Sequence, residues 1–294
     1  MSDRLEVLKT YKIYIGGKFP RTESGRYYIP TNSKGEGLCN ACLGSRKDFR
    51  NAVVAARKAH GPWAERSAYN IGQILYRIAE NLEGRKEEFI KLIQKEEAIS
   101  TKAASKLVED SIDQLVYFAG WSDKFQQLFS SVNPVASSHF NFSILEGRGV
   151  VAALLDADTS FKDLVTVIAV AICSGNSIVL LAKENAPLSG ITFAEVLQHS
   201  DLPGGVVNIL TGKAEELEEH FATHMDVNTL LLVGNSARKA ELAKKCATNL
   251  KRLVHWSKAE LKQNEKSPYL LKDLLETKTT WHPIEQIGGA KSGY

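Results

Sequence analysis

The sequence predicts an α/β fold with a Rossmann-like parallel sheet, N-terminal helices and a small antiparallel hairpin, and three observations carry that prediction. First, short apolar runs rich in β-branched residues recur at Val150–Leu155, Ser177–Leu181, 206–210 and Thr229–Val233, and a helical pattern follows each, at Phe161–Cys173, 191–197, 214–221 and 237–247. Strands that are apolar throughout must be covered on both faces, and helices alternating with them supply that cover. Second, the first half of the chain is a block of amphipathic helical stripes. Third, Phe140, Phe142 and Ile144 alternate with polar residues between the two regions, which marks a half-buried strand of different character.

Taken in order, residues 11–30 read as a strand pair. Alternation runs over 11–15, Gly16-Gly17 turns the chain, and Gly25 marks a second turn before 27–29. Ser45 and Asp48 form a capping box, after which Phe49, Val53 and Ala56 repeat at helical spacing. Ile71, Ile74, Leu75, Ile78 and Leu82 make a second stripe, ended by Gly84. Phe89, Leu92 and Ile93 make a third, and Leu107, Ile112, Leu115 and Phe118 a fourth. Beyond Arg252 the order declines. Residues 257–267 are charged and read as a linker or surface loop, 268–275 as a short helix or strand, and 277–281 as β-prone up to Pro283. The glycine-rich tail over 288–294 reads as disordered. No internal repeat is visible.

Composition narrows the function classes. The chain has 294 residues, 44% of them hydrophobic and 24% charged, and 37 basic against 34 acidic side chains leave a net charge of +3. That balance argues against a nucleic-acid or membrane partner. The cluster Lys244, Lys245, Lys251 and Arg252 reads as a solvated helix face. The N-terminal MSDRLEVLKTYK lacks an apolar core, so it is not a signal peptide, and the apolar run over 164–173 is too short to span a bilayer. Four cysteines do not make a disulfide framework in a chain this long, so a reducing, cytoplasmic compartment is expected. Cys39 and Cys42 form a C-x-x-C on a short strand, where residues three apart face opposite ways; with Cys173 and Cys246 isolated, no metal site is expected.

The order of segments resembles the aldehyde dehydrogenase superfamily. Tyr14-Ile15-Gly16-Gly17-Lys18-Phe19 resembles its N-terminal strand signature. Ala52-Val53-Val54-Ala55-Ala56-Arg57-Lys58-Ala59 followed by Trp63 resembles its first long helix. Gly149-Val150-Val151 resembles the start of the cofactor domain, and Ser174-Gly175-Asn176 precedes the second sheet strand as in the family. Leu202-Pro203-Gly204-Gly205 with 206–212 is the strongest stretch, and Asn249-Leu250-Lys251-Arg252 matches the segment leading into the catalytic region. The wording of Tyr117-Phe118-Ala119-Gly120-Trp121 and of 224–228 is most similar to the non-catalytic second half of the two-domain, family 16 type.

The departures fall on the chemistry. The family's oxyanion asparagine matches Asp158, within Asp156-Ala157-Asp158-Thr159-Ser160; an ionised carboxylate has no N–H to donate and repels a developing oxyanion. The bland role of Asp158 and Ser160 is capping the helix at Phe161. The lysine that reaches the cofactor's adenosine end matches Leu181. Glu184 matches the ribose-contacting carboxylate and Gly234 the first glycine of the phosphate-cradling turn Leu232-Val233-Gly234-Asn235-Ser236, whose second glycine matches Lys239. Lys239 reads as a surface lysine or, alternatively, as a point charge for phosphate. The general base matches Trp256, which cannot take a proton. No residue matches the nucleophilic cysteine, and Cys173 and Cys246 read as core thiols.

The resemblance therefore implies an aldehyde-dehydrogenase-like cofactor domain over 1–255 with an oligomerisation hairpin inserted at about 134–148. It further implies a linker over 256–267, a C-terminal assembly strand and tail over 268–294, and no counterpart of the catalytic domain. The implied function is a non-catalytic scaffold or accessory subunit, in a homo-oligomer or with a full-length aldehyde dehydrogenase, without catalytic residues or bound metal. An NAD(P)-binding regulatory module and a partner-dependent aldehyde oxidoreductase remain as alternatives. No cofactor is expected, with NAD(P) left open through Glu184 and Gly234.

Overall fold

A computed structural model describes residues 9–235 and 237–284, so the reading of the 288–294 tail and the position of Ser236 lie outside the described residues. In chain order the elements are β1 (Thr10–Tyr11), β2 (Tyr27–Tyr28) and β3 (Asn40–Cys42), then α1 (Arg46–Ala64), α2 (Ala68–Gly84), α3 (Lys86–Glu97), α4 (Thr101–Ala119) and α5 (Phe125–Phe129). Next come β4 (Ser131–Asn133), β5 (His139–Gly147), β6 (Val150–Leu155), α6 (Phe161–Cys173), β7 (Ser177–Leu181) and α7 (Leu188–Gln198). The chain continues through β8 (Val207–Leu210), α8 (Ala214–Thr223), β9 (Thr229–Val233), α9 (Lys239–Ala247), β10 (Arg252–Trp256), α10 (Lys258–Gln263), α11 (Tyr269–Asp273) and β11 (Leu275–Pro283).

The central layer is a five-stranded parallel sheet in the order β10-β9-β6-β7-β8. Alternation along each strand divides the core into two clusters. Val151, Ala153 and Leu155 face the same side as Ile178, Leu180, Leu231 and Val233, where α2, α4, α6 and α7 pack. Val150, Ala152 and Leu154 face the other side with Val179, Leu181, Leu230 and Leu232, under α1, α8 and α9. Both faces are thus dry, and each fully buried leucine or valine contributes roughly 1.5–3 kcal/mol of transfer free energy. Ser45 caps α1 in a capping box with Asp48, and Trp63 in its last turn donates Nε1–H to the Ile172 carbonyl at 3.1 Å, fastening α1 to α6.

Several expectations are corrected. Residues 11–30 do not form a direct strand pair: β3 lies between β1 and β2, parallel to the first and antiparallel to the second. A fifth parallel strand, β10, occupies the stretch where order was expected to decline. The expected linker over 256–267 contains α10, which Ser257 caps in a box with Glu260 and which buries Leu261. Lys251 does not belong to a solvated face: it is 7% exposed and its ammonium donates to the His224 carbonyl at 2.6 Å. The thiols match their reading more closely. Cys39 and Cys42 fall in the two different core clusters, and all four cysteines are free and buried.

The third sheet is antiparallel, β11-β5-β4, and β11 pairs with β5 over its whole length, from Leu275 opposite Gly147 to Pro283 opposite His139. Ser143 and Thr279 share a hydroxyl–hydroxyl hydrogen bond of 2.9 Å across that ladder. No helix among the described residues is long and apolar enough to cross a membrane.

Candidate functional site

In an open parallel sheet, ligands bind beyond the carboxyl ends of the strands where the strand order reverses. Here that point lies between β6 and β9, the neighbours whose connections leave in opposite directions. A crevice of about 430 Å³ opens there, along the C-terminal ends of β6, β7 and β9 and the start of α9. Its charged lining is Asp156, Asp158, Glu184, Glu218 and Arg238.

Glu184 stands on the rim after β7; its backbone carbonyl accepts from the Tyr28 hydroxyl at 3.1 Å. Gly234 follows β9 with φ +104° and donates its N–H to the Trp256 carbonyl at 2.9 Å. The two residues do not open onto the same space. Asp158 Oδ1 occupies the position that a side chain on Gly234 would need, so the glycine lies beneath a carboxylate. The Asn235 N–H donates to that same Oδ1 at a long 3.4 Å. Asp158 therefore does not cap α6; Ser160 alone does, in a capping box with Asp163. The strand end is pinned by the Asp156 N–H to the Val233 carbonyl, 2.9 Å, which also keeps the Asp156 side chain beside Asp158. Burial, and then the Asp158 charge, push the Asp156 carboxyl up.

The cations nearby are committed elsewhere. Arg238 pairs with Glu218 at 2.5 Å. Lys183 bridges Glu97, at 2.8 Å, and the Thr159 carbonyl, at 2.7 Å, which holds the loop carrying Asp158 in place. Lys239, at the start of α9, lies 3.4 Å from His255 Nδ1, and His255 Nε2 lies 2.8 Å from the Gly234 carbonyl. With Nδ1 accepting from an ammonium, Nε2 carries the proton and donates to Gly234. Trp256, matched to the family base, is buried and donates its indole N–H to Asp273 Oδ2 at 2.8 Å. Leu181, matched to the family lysine, lies in the core at 3% exposure. Cys173 is 1% exposed, and burial raises its thiol well above the ordinary range, as expected of a core residue.

These donors do not fit a dinucleotide pyrophosphate. Such a group needs free backbone N–H groups at a helix start and a nearby positive charge. The start of α9 has no side-chain cap, but the crevice beside it sets a carboxylate over the turn and a second next to it, and its arginine is already paired. The sequence alone pointed to Glu184, Gly234 and Asp158; it missed Asp156, Lys183 and the Glu218–Arg238 pair. Asp156 was detectable as the residue directly after the central strand, whereas the others depend on contacts distant in sequence. Among the described residues, no three His, Cys, Asp or Glu side chains group as a metal site.

Comparison with known proteins agrees with this geometry at the level of fold. The pattern of the aldehyde dehydrogenase family matches residues 20–256. Cytosolic 10-formyltetrahydrofolate dehydrogenase of Xenopus tropicalis is 29% identical over 267 residues, covering 89% of this chain and 29% of that protein. Mitochondrial 10-formyltetrahydrofolate dehydrogenase of Homo sapiens is 28% identical over 275 residues, covering 92% and 29%. The chain thus spans under a third of the length of these relatives. An aldehyde dehydrogenase from Bacillus cereus, solved as its NAD+ complex, superposes with a TM-score of 0.80 at 24% identity, covering 85% of this chain and 51% of that one.

Proposed function

The chain belongs to the aldehyde dehydrogenase family, and from that premise we propose that it is a non-catalytic member, acting as a scaffold or accessory subunit within an assembly. One observation carries the reading: the Asp158 carboxylate lies over Gly234 at the switch point. A cofactor phosphate at that turn would meet the carboxylate and be repelled by it, and a carboxylate in place of an amide repels a developing oxyanion instead of stabilising it. Burial of Trp256, where the family places its base, adds to the reading. The three-stranded β11-β5-β4 sheet supports the assembly role, because its outer strands leave edges that strand addition would cover, from a second copy or a full-length aldehyde dehydrogenase.

The test is a calorimetric titration of the full chain with NAD+ and NADH, run beside size-exclusion chromatography with light scattering. Absence of saturable binding at millimolar cofactor, together with an oligomer or a co-purifying dehydrogenase, is the expected result. Micromolar cofactor binding, or aldehyde turnover that tracks the purified protein, would overturn it. A second reading, an NAD(P)-binding regulatory module, rests on Glu184 at the crevice rim and on the left-handed backbone of Gly234. Under that reading binding occurs without turnover, so the same titration separates the two.

A further inference from the structure

We propose that the cleft between α4, α6 and α10 binds a small anion bearing a lactam or primary carboxamide edge. The cleft has a volume of about 550 Å³, within the range of sites for small molecules, and shares no lining residue with the switch-point crevice. Its α4 wall contains Gln114, which is 1% exposed, and neither the Nε2 nor the Oε1 of that side chain has a hydrogen-bond partner among the described residues. Leaving a buried amide unpaired is costly, so a core glutamine in this state points to a partner supplied from outside the chain.

The chemistry of the amide selects the partner. Gln114 offers an NH2 donor and a carbonyl acceptor side by side. A carboxylate has acceptors only and would satisfy half of it. A cis-lactam or carboxamide edge presents an acceptor beside a donor and satisfies both.

The charge comes from the rim. Four lysines line the cleft; Lys106, Lys162 and Lys258 pair with Asp110, Glu265 and Asp163 at 3.1, 2.6 and 3.1 Å. Lys262, on the last turn of α10, makes no ion pair among the described residues and is available to an anionic group. Leu107, Ala259 and Leu261 add apolar wall to the cleft.

Calorimetry on the full chain with orotate, which carries both a lactam edge and a carboxylate, tests the assignment. Saturable binding is expected, with uracil (lactam without carboxylate) and benzoate (carboxylate without lactam) each weaker by about tenfold or more. Gln114→Leu is expected to weaken orotate by about tenfold or more and, because it removes an unpaired amide, to raise the melting temperature of the ligand-free protein. Lys262→Gln, on the surface, is expected to weaken orotate severalfold while leaving the melting temperature unchanged. Absence of saturable orotate binding at millimolar concentration overturns the proposal, as does equal binding by Gln114→Leu. A Gln114→Leu protein that melts lower than the parent also overturns it, because the amide is then bonded within the ligand-free chain. None of these outcomes depends on the NAD+ titration, which reports on the other crevice.

Discussion

Asp158 Oδ1 fills the space above the α-carbon of Gly234, so the loop after β6 and the turn after β9 close on each other through a carboxylate. A side chain at 234 would also meet Asp156 Cβ at 2.9 Å and Thr159 Cγ2 at 3.2 Å, on a backbone whose φ of +104° L-residues rarely adopt. Gly234→Ala is therefore expected to destabilise by about 1–3 kcal/mol, from crowding and strain together. Urea denaturation measures it. Repeating the substitution on an Asp158→Gly background should recover part of the loss, since one of the three clashes is then removed. Full additivity of the two changes would mean that the loops do not touch.

Trp256 joins the end of β10 to α11 through its 2.8 Å bond to Asp273. Trp256→Ala leaves a cavity in a site only 2% exposed and is expected to cost about 3–5 kcal/mol. Trp256→Phe keeps most of the volume and loses the indole donor. Asp273 is exposed and can turn to water, so about 1 kcal/mol is expected. Trp256→Glu, which writes back the family's base, is expected to destabilise at least as much as alanine and to yield no aldehyde oxidation. Equal stability of the Phe and Ala variants by chemical denaturation would show that the indole is not packed.

Glu96, at the end of α3, is buried at 2% exposure and accepts the N–H groups of Leu188 and Ser189 at the start of α7, the second at 3.0 Å. Burial raises its carboxyl from 4.5 to about 7, against the opposing effect of those N–H donors and of Lys183. The folded chain then holds this proton more tightly than the unfolded chain. Stability from this group is fully present below pH 4.5 and is lost as pH rises towards 7. Glu96→Gln is expected to flatten that segment of the stability–pH curve relative to the parent. Parallel curves for the two proteins between these values would refute it.

Much of this architecture was legible because burial on both faces writes itself into a strand. Val150–Leu155 and Thr229–Val233 have no polar interruption beyond their first residue, and their bounds match the elements found. β10 was not legible: Arg252 and His255 break its apolar run, because it is the edge strand of the sheet. α10 is six residues long and mostly charged, so its Ser257 and Glu260 capping box was the one local sign of a helix. The candidate site divides the same way. Gly234, Glu184 and Asp158 stood at motif positions. The Glu218–Arg238 pair joins two helices 20 residues apart, and the amide of Gln114 lies among apolar stripe positions, where only packing shows that it is unpaired.

Lys251 gives the last prediction, and its sign is opposite to that of Glu96. Leu250 before it takes a left-handed φ of 55°, which turns Lys251 inward from the end of α9. There burial lowers its ammonium from 10.5 to about 8, while the ammonium donates to the His224 carbonyl. The unfolded chain therefore holds this proton more tightly than the folded one between those two values, and stability contributed here rises with pH across that window. Below pH 8 the full penalty of keeping the ammonium charged remains. Lys251→Met keeps the stem and removes the titration. The parent should gain stability relative to Lys251→Met between pH 8 and 10, by chemical denaturation at matched ionic strength. A difference between the two proteins that stays constant through that window would place the ammonium in solvent.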